Sequence, residues 1–180
     1  MNGAYLKSSL CRSTFVLPFI LLSLIFSGCS KMAGYSNDSL FPQDITSVYV
    51  EMFDSQSFWR GAEYTVSDAL AKRIEADTPY KIVSSRDRAD TVVSGKIISI
   101  IEGVLTAERE LGGVLEKELV IRSRVNWKNL KTGELIIEDE EVLASASYSG
   151  YQNQNFLYAS TVAANNLARK IVELMETKWE

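Results

Sequence analysis

The apolar positions of this chain begin as an unbroken run, Phe15 to Phe26, and become periodic only further on. From Ile45 to Phe53 they alternate, with Val48, Val50 and Met52 opposite Ser47, Tyr49 and Glu51, the period of a half-buried strand. The period then lengthens. Ala62, Val66, Ala69, Leu70 and Ile74 share one helical face, while Glu63, Ser67, Asp68, Lys72, Arg73 and Glu75 occupy the rest. Pro79 blocks continuation and biases the residue before it away from helix. Tyr80 to Val83 reads as a short second strand.

Beyond the charged turn Arg86-Asp87-Arg88-Ala89-Asp90, residues Thr91 to Val104 are rich in Val and Ile and predict a long strand. Gly95 interrupts it and marks a bulge or a close backbone contact. Gly112-Gly113 connects to Val114–Asn129, where Leu119, Ile121, Val125 and Trp127 share one face and Arg122, Arg124, Asn126 and Lys128 the other. That is an antiparallel strand wet on one side. Asn129-Leu130-Lys131-Thr132-Gly133 predicts a tight hairpin, and Glu134 to Tyr148 the returning strand. After a polar loop, Phe156, Ala163, Leu167, Ile171 and Leu174 mark a final helix. The order β-α-β-β-β-β-α gives an α+β fold. We expect a two-layer sandwich: a mainly antiparallel four- to five-stranded sheet with two helices packed on one face.

The initial run has its own meaning. Lys7 and Arg12 form a basic n-region, Phe15 to Phe26 an h-region, and Ser27-Gly28 a small-residue cleavage site, together a secretory signal. The run is short for a membrane span, which takes roughly 20 residues. Cys29 follows at once, and Phe26-Ser27-Gly28-Cys29 resembles a bacterial lipobox, with Phe where an aliphatic residue is usual. The resemblance implies diacylation of the Cys29 thiol, removal of residues 1–28 and acylation of the new amine. Each buried methylene adds about 0.8 kcal/mol, so two or three acyl chains anchor a protein almost permanently. Residues 29–44 read as a lipidated tether and residues 45–180 as a single domain.

Composition narrows the chemistry. Removing the signal takes two of 19 basic and none of 23 acidic residues, so the formal charge moves from −4 to −6. Such a body has no reason to bind nucleic acid. The chain has no histidine, and its two cysteines are Cys11, inside the signal, and Cys29. Imidazole relays, His-ligated zinc and an intrachain disulfide of the mature protein are therefore excluded. No glycine pattern matches a phosphate loop or dinucleotide fingerprint, and we expect neither cofactor, metal nor catalytic residue. An envelope-glycan enzyme would need a marked carboxylate pair, and none stands out. Glu138-Asp139-Glu140-Glu141 alternates across a strand, so at most two of these side chains converge.

Two clusters stay open to either reading. Arg122, Arg124 and Lys128 on one strand face, with Lys131 in the adjoining turn, form either a cationic stripe for lipid A phosphates or an ordinary solvated face. The aromatics Tyr148, Tyr151, Phe156 and Tyr158, and the pair Phe58-Trp59, either contact a partner or cap the hydrophobic layer.

Several stretches in order after the lipobox resemble the LptE-type family of outer-membrane lipoproteins that assemble lipopolysaccharide. They are Gly34-Tyr35, Ile45-Thr46-Ser47-Val48-Tyr49-Val50, Asp68-Ala69-Leu70, Arg88-Ala89-Asp90-Thr91-Val92-Val93-Ser94-Gly95-Lys96-Ile97, and Asn129-Leu130-Lys131-Thr132-Gly133-Glu134. No single motif is specific; their order and spacing carry the resemblance. It implies a non-enzymatic protein, held by lipid at the inner leaflet of the outer membrane. There it would plug a large β-barrel partner, help that barrel fold and aid insertion of lipopolysaccharide, which is itself a further candidate ligand. Ser30 agrees with outer-membrane sorting, because aspartate at that position favours inner-membrane retention in enterobacterial lipoproteins. Two alternatives are a lipoprotein activator of a peptidoglycan synthase and a secretion-channel subunit. The activators need a long disordered tether, whereas this one of about 15 residues reaches at most about 50 Å.

Overall fold

The computed structural model describes residues 40–107 and 114–176; the signal, Cys29 and most of the expected tether lie outside them. In chain order the elements are β1 (Ser47–Val50), β2 (Asp54–Ser55), α1 (Ala62–Asp77), β3 (Lys81–Ile82), β4 (Thr91–Ala107), β5 (Val114–Asn129), β6 (Leu135–Tyr148) and α2 (Phe156–Leu174). Short 3₁₀ turns at Arg86–Arg88 and Gly150–Gln152 precede β4 and α2.

The two helices start and stop for local reasons. Gly61 sits at φ 91°, and the Glu63 carboxylate accepts its N–H at 3.1 Å, so a left-handed glycine opens α1. At the other end Thr78 is extended, as a residue before proline prefers. Its hydroxyl donates to the Ile74 carbonyl at 2.6 Å, satisfying an end-of-helix acceptor. Helix α2 begins at Asn155, whose side chain accepts from Tyr158 N–H at 2.9 Å.

The sheet runs β3-β1-β4-β5-β6, with β2 also pairing β4. The expected antiparallel arrangement holds for the three long strands, but β1 pairs in parallel with both β3 and β4, and β2 pairs in parallel with β4. The sheet is therefore mixed and six-stranded. A parallel β1–β3 pair joined through α1 is a crossover unit, since parallel neighbours cannot be linked by a tight turn.

Leu119, Ile121, Ser123, Val125 and Trp127 put the odd-numbered face of β5 in the core, while Arg122 and Arg124 face solvent. The helices cover the odd face with Val66, Leu70 and Ile74 of α1 and Ala163, Leu167 and Ile171 of α2. Alanines at 159, 163, 164 and 168 bring α2 close to the sheet. Phe41, within the stretch read as tether, is also buried and meets Tyr80 edge-on at 5.9 Å; Tyr80 in turn lies 6.1 Å from Trp127. The described chain thus enters at the pole formed by the start of β4 and the β5–β6 turn. The far ends of β4 and β5, exposed from Ile101 to Ala107, form the opposite pole.

Candidate functional site

The cationic stripe is real as an alignment. Arg122, Arg124 and Lys128 lie on the helix-free face of β5, and Lys131 sits in the turn that follows. Acids crossing from β6 answer two of them. Arg122 Nε is 3.5 Å from Glu141, and Arg124 Nη1 is 3.2 Å from Asp139. Asp139 reaches that position in a left-handed conformation, φ 46°, with its N–H donated to the Asn126 side chain at 2.8 Å. These pairs are largely exposed and worth about 0–1 kcal/mol, so a better anion can displace the acid. Lys128, opposite Leu135 of β6, makes none of the ion pairs among the described residues.

Lys131 belongs elsewhere. Its ammonium lies 2.5 Å from Asp90 Oδ1, and that carboxylate is 13% exposed. Asp90 Oδ2 accepts from Thr46 N–H at 3.0 Å, Thr46 Oγ1 at 2.6 Å and Ser47 N–H at 3.0 Å. The backbone closes the junction, with Asp90 N donating to Ser47 Oγ at 3.0 Å and Leu130 N to Asp90 O at 2.8 Å. Lys131 first and then Thr46 hold the Asp90 carboxyl far below the usual carboxylate range, outweighing the opposing effect of burial, with Ser47 adding the smallest contribution. A lysine tied in this way ties the β5–β6 turn to the start of β4 and leaves the stripe to its three strand residues. The turn itself is set by Asn129, whose side chain accepts from Lys131 N at 2.9 Å and Thr132 N at 3.2 Å, with Gly133 at φ 79°.

At the opposite pole the aromatics divide. Trp59 stacks on Phe156 at 3.8 Å, and Tyr148 is buried, so these cap the layer. Phe58 is fully exposed, Tyr151 largely so, and Tyr158 about half. Under the Trp59–Phe156 stack lies a mostly apolar cavity of about 200 Å³, floored by Ile100 and Ile121. Nearby, the Tyr148 hydroxyl donates to Glu102, which Lys117 also holds at 2.7 Å. Lys117 and then Tyr148 depress the Glu102 pKa, while burial and then Glu102 raise that of Tyr148. This clasp joins β4, β5 and β6 where the long hairpin leaves the body. No periodicity marked Glu102 or Lys117, because their partners come from other strands.

Among the described residues no three Asp, Glu, Cys or His side chains gather as a metal site; of the Glu138–Glu141 run, Asp139 and Glu141 pair with Arg124 and Arg122 across the sheet.

The fold is a small two-layer α+β module with a mixed six-stranded sheet. The family model LptE, described as Lipopolysaccharide-assembly, matches residues 45–178, and the chain belongs to that family. No curated protein matches it. Among solved structures, lipoprotein B from Nitrosomonas europaea is similar at TM-score 0.52 and 16% identity, covering 80% of this chain and 89% of that one, a likeness of fold. The rare lipoprotein B from Shewanella oneidensis gives TM-score 0.45 and 15% identity over 72% of this chain and 93% of its own.

Proposed function

We propose that this chain is an outer-membrane lipoprotein that plugs and helps assemble the barrel component of the lipopolysaccharide translocon, acting by contact and not by catalysis. The observation that supports this reading most is the family match across residues 45–178, which spans nearly all of the two-layer body. In this reading residues 1–28 are removed, Cys29 carries the acyl chains, and residues 29–44 hold the body at the periplasmic face of the outer membrane. Capture of the acylated chain from envelopes should recover a large barrel protein of the lipopolysaccharide-assembly type. Recovery of a peptidoglycan synthase or a secretion channel in its place would overturn the assignment.

Arg122, Arg124 and Lys128 are the proposed contacts for lipopolysaccharide phosphates, because guanidinium forks suit phosphate oxygens and their present partners are weakly held. Replacing all three with glutamine should lower affinity for purified lipopolysaccharide at least tenfold, with the unfolding midpoint little changed. Undiminished binding removes the stripe from the site.

A further inference from the structure

Two margins of the sheet are guarded. Along the C-terminal half of β6, Asn166 donates to the Ser145 carbonyl at 2.9 Å and Lys170 to the Leu143 carbonyl at 2.6 Å, so α2 occupies acceptors an added strand would use there, and the half before it carries the acids Glu138 to Glu141. The β3 margin is two residues long and follows Pro79. These are ways in which proteins blunt strand edges.

The side of β4 that faces away from β5 is different. Glu51 and Gln56 N–H reach the Val93 and Ile97 carbonyls, both at 2.9 Å, and β2 ends opposite Ile97. From Ser99 to Ala107 no backbone group among the described residues pairs with that side. This stretch holds no Lys, Arg or Pro, and its one charge, Glu102, is already held by Lys117 and Tyr148. Ile101, Val104 and Leu105 are 57%, 57% and 52% exposed. The cavity under Trp59 and Phe156 opens beside this margin at Ile100.

We propose that the outer margin of β4, Ser99–Ala107, receives an extended segment of a partner protein as an added strand, with one apolar side chain seated in the cavity beside Ile100. Main-chain pairing supplies affinity in this mode, and the pocket supplies selectivity. The margin carries no unanswered charge, so the segment is uncharged and apolar at alternate positions. A cavity of about 200 Å³ is below the roughly 300–1,000 Å³ of free small-ligand sites and suits a single side chain. A second copy is the weaker occupant. Pairing two β4 margins joins nine residues from each, against about 20–30 a side in a stable interface. The inference rests on the assembly-subunit reading, in which an enclosing partner supplies the remaining area.

The test places a photo-crosslinking residue at Val104 of the acylated chain in its own envelope, with a comparison position at Leu143 on the helix-free face. Val104 should cross-link to one extended peptide of the captured barrel protein. The double variant Ile101→Lys, Val104→Lys should lose capture at least tenfold while keeping its melting temperature. Both side chains are mostly exposed, so the fold tolerates the change. Barrel cross-links from Leu143 alone, or full capture by the double variant, defeat strand addition and leave the assembly reading standing. Cross-links from Val104 only to a second copy or to lipid likewise defeat it. Absence of a barrel protein from both positions defeats the two together.

Discussion

Among the described residues the Asp90 carboxylate ties the start of β4 to Thr46, Ser47 and Lys131 at once, and its sequence context concealed that. In Arg86-Asp87-Arg88-Ala89-Asp90 it looked like one charge in a polar turn, yet its partners Thr46 and Ser47 lie 44 and 43 positions away. Local pattern carries no trace of such a contact. Gly95 was legible, because a glycine inside a Val-rich strand needs a reason. A Cβ there would stand 2.9 Å from the Arg124 carbonyl and inside the Phe53 ring, so the close contact is the reason and the bulge lies further on, between Ile97 and Ser99. Ser67, placed off the apolar face of α1 by its period, is nonetheless buried and accepts the Phe53 N–H at 3.0 Å. Asp90→Asn should destabilise the domain by about 2–3 kcal/mol, since charge-assisted bonds to two backbone donors and the Lys131 pair are weakened together. The folded carboxyl titrates below its ordinary value of 3.8. Its contribution is therefore complete above that pH and is lost as pH falls toward the lower folded value. Urea midpoints measured from pH 6 down to pH 2 should fall less steeply for the Asn variant than for the parent.

At the scale of elements, the long strands and both helices were readable because their periods persist over many residues. The bounds of β5 were read as they stand, and β6 differs by one residue. The parallel margin escaped because β1, β2 and β3 are four, two and two residues long, too short for alternation to reveal a direction. Pairing direction there follows from the crossover through α1, which the order β-α-β already contained. The Glu102–Lys117–Tyr148 clasp shows what period cannot supply, a fastening between three strands at the root of the exposed hairpin. Glu102→Gln should loosen that root, raising amide exchange in residues 101–107 and 115–118 about five- to tenfold while α2 stays protected, as loss of about 1 kcal/mol of local stability requires. The Glu102 carboxyl titrates below its ordinary 4.5, so the parent should keep its protection at neutral pH and lose it as pH drops below that value.

The described body has two poles, and the division bears on how a module anchored as proposed would meet its partner. The described chain begins at residue 40, beside the junction of Asp90, Lys131 and the β5–β6 turn, while the hairpin margin and the cavity lie at the other end of the sheet. Sequence order announced the layers but not this polarity, which depends on parallel register between β1 and β4. If lipid on Cys29 holds the body beside its partner, the anchor acts by local concentration. If the roughly 12 residues from Cys29 to the buried Phe41 act as a random coil, their root-mean-square span is about 19 Å and they set an effective concentration near the millimolar range. Lengthening that stretch by ten Gly/Ser residues after Ser30 lowers that concentration only about 2.5-fold, because the dependence follows roughly the three-halves power of length. Removing the lipid is a larger change, since encounter then depends on free protein in solution. A Cys29→Ser chain exported behind a conventional cleavable leader should show capture of the barrel reduced about 100-fold or more at equal expression. The lengthened tether should stay within a factor of about three of the parent. Equal capture by the Ser variant would mean that the folded body alone sets the affinity, and a steep loss on lengthening would mean that the tether itself forms part of the interface.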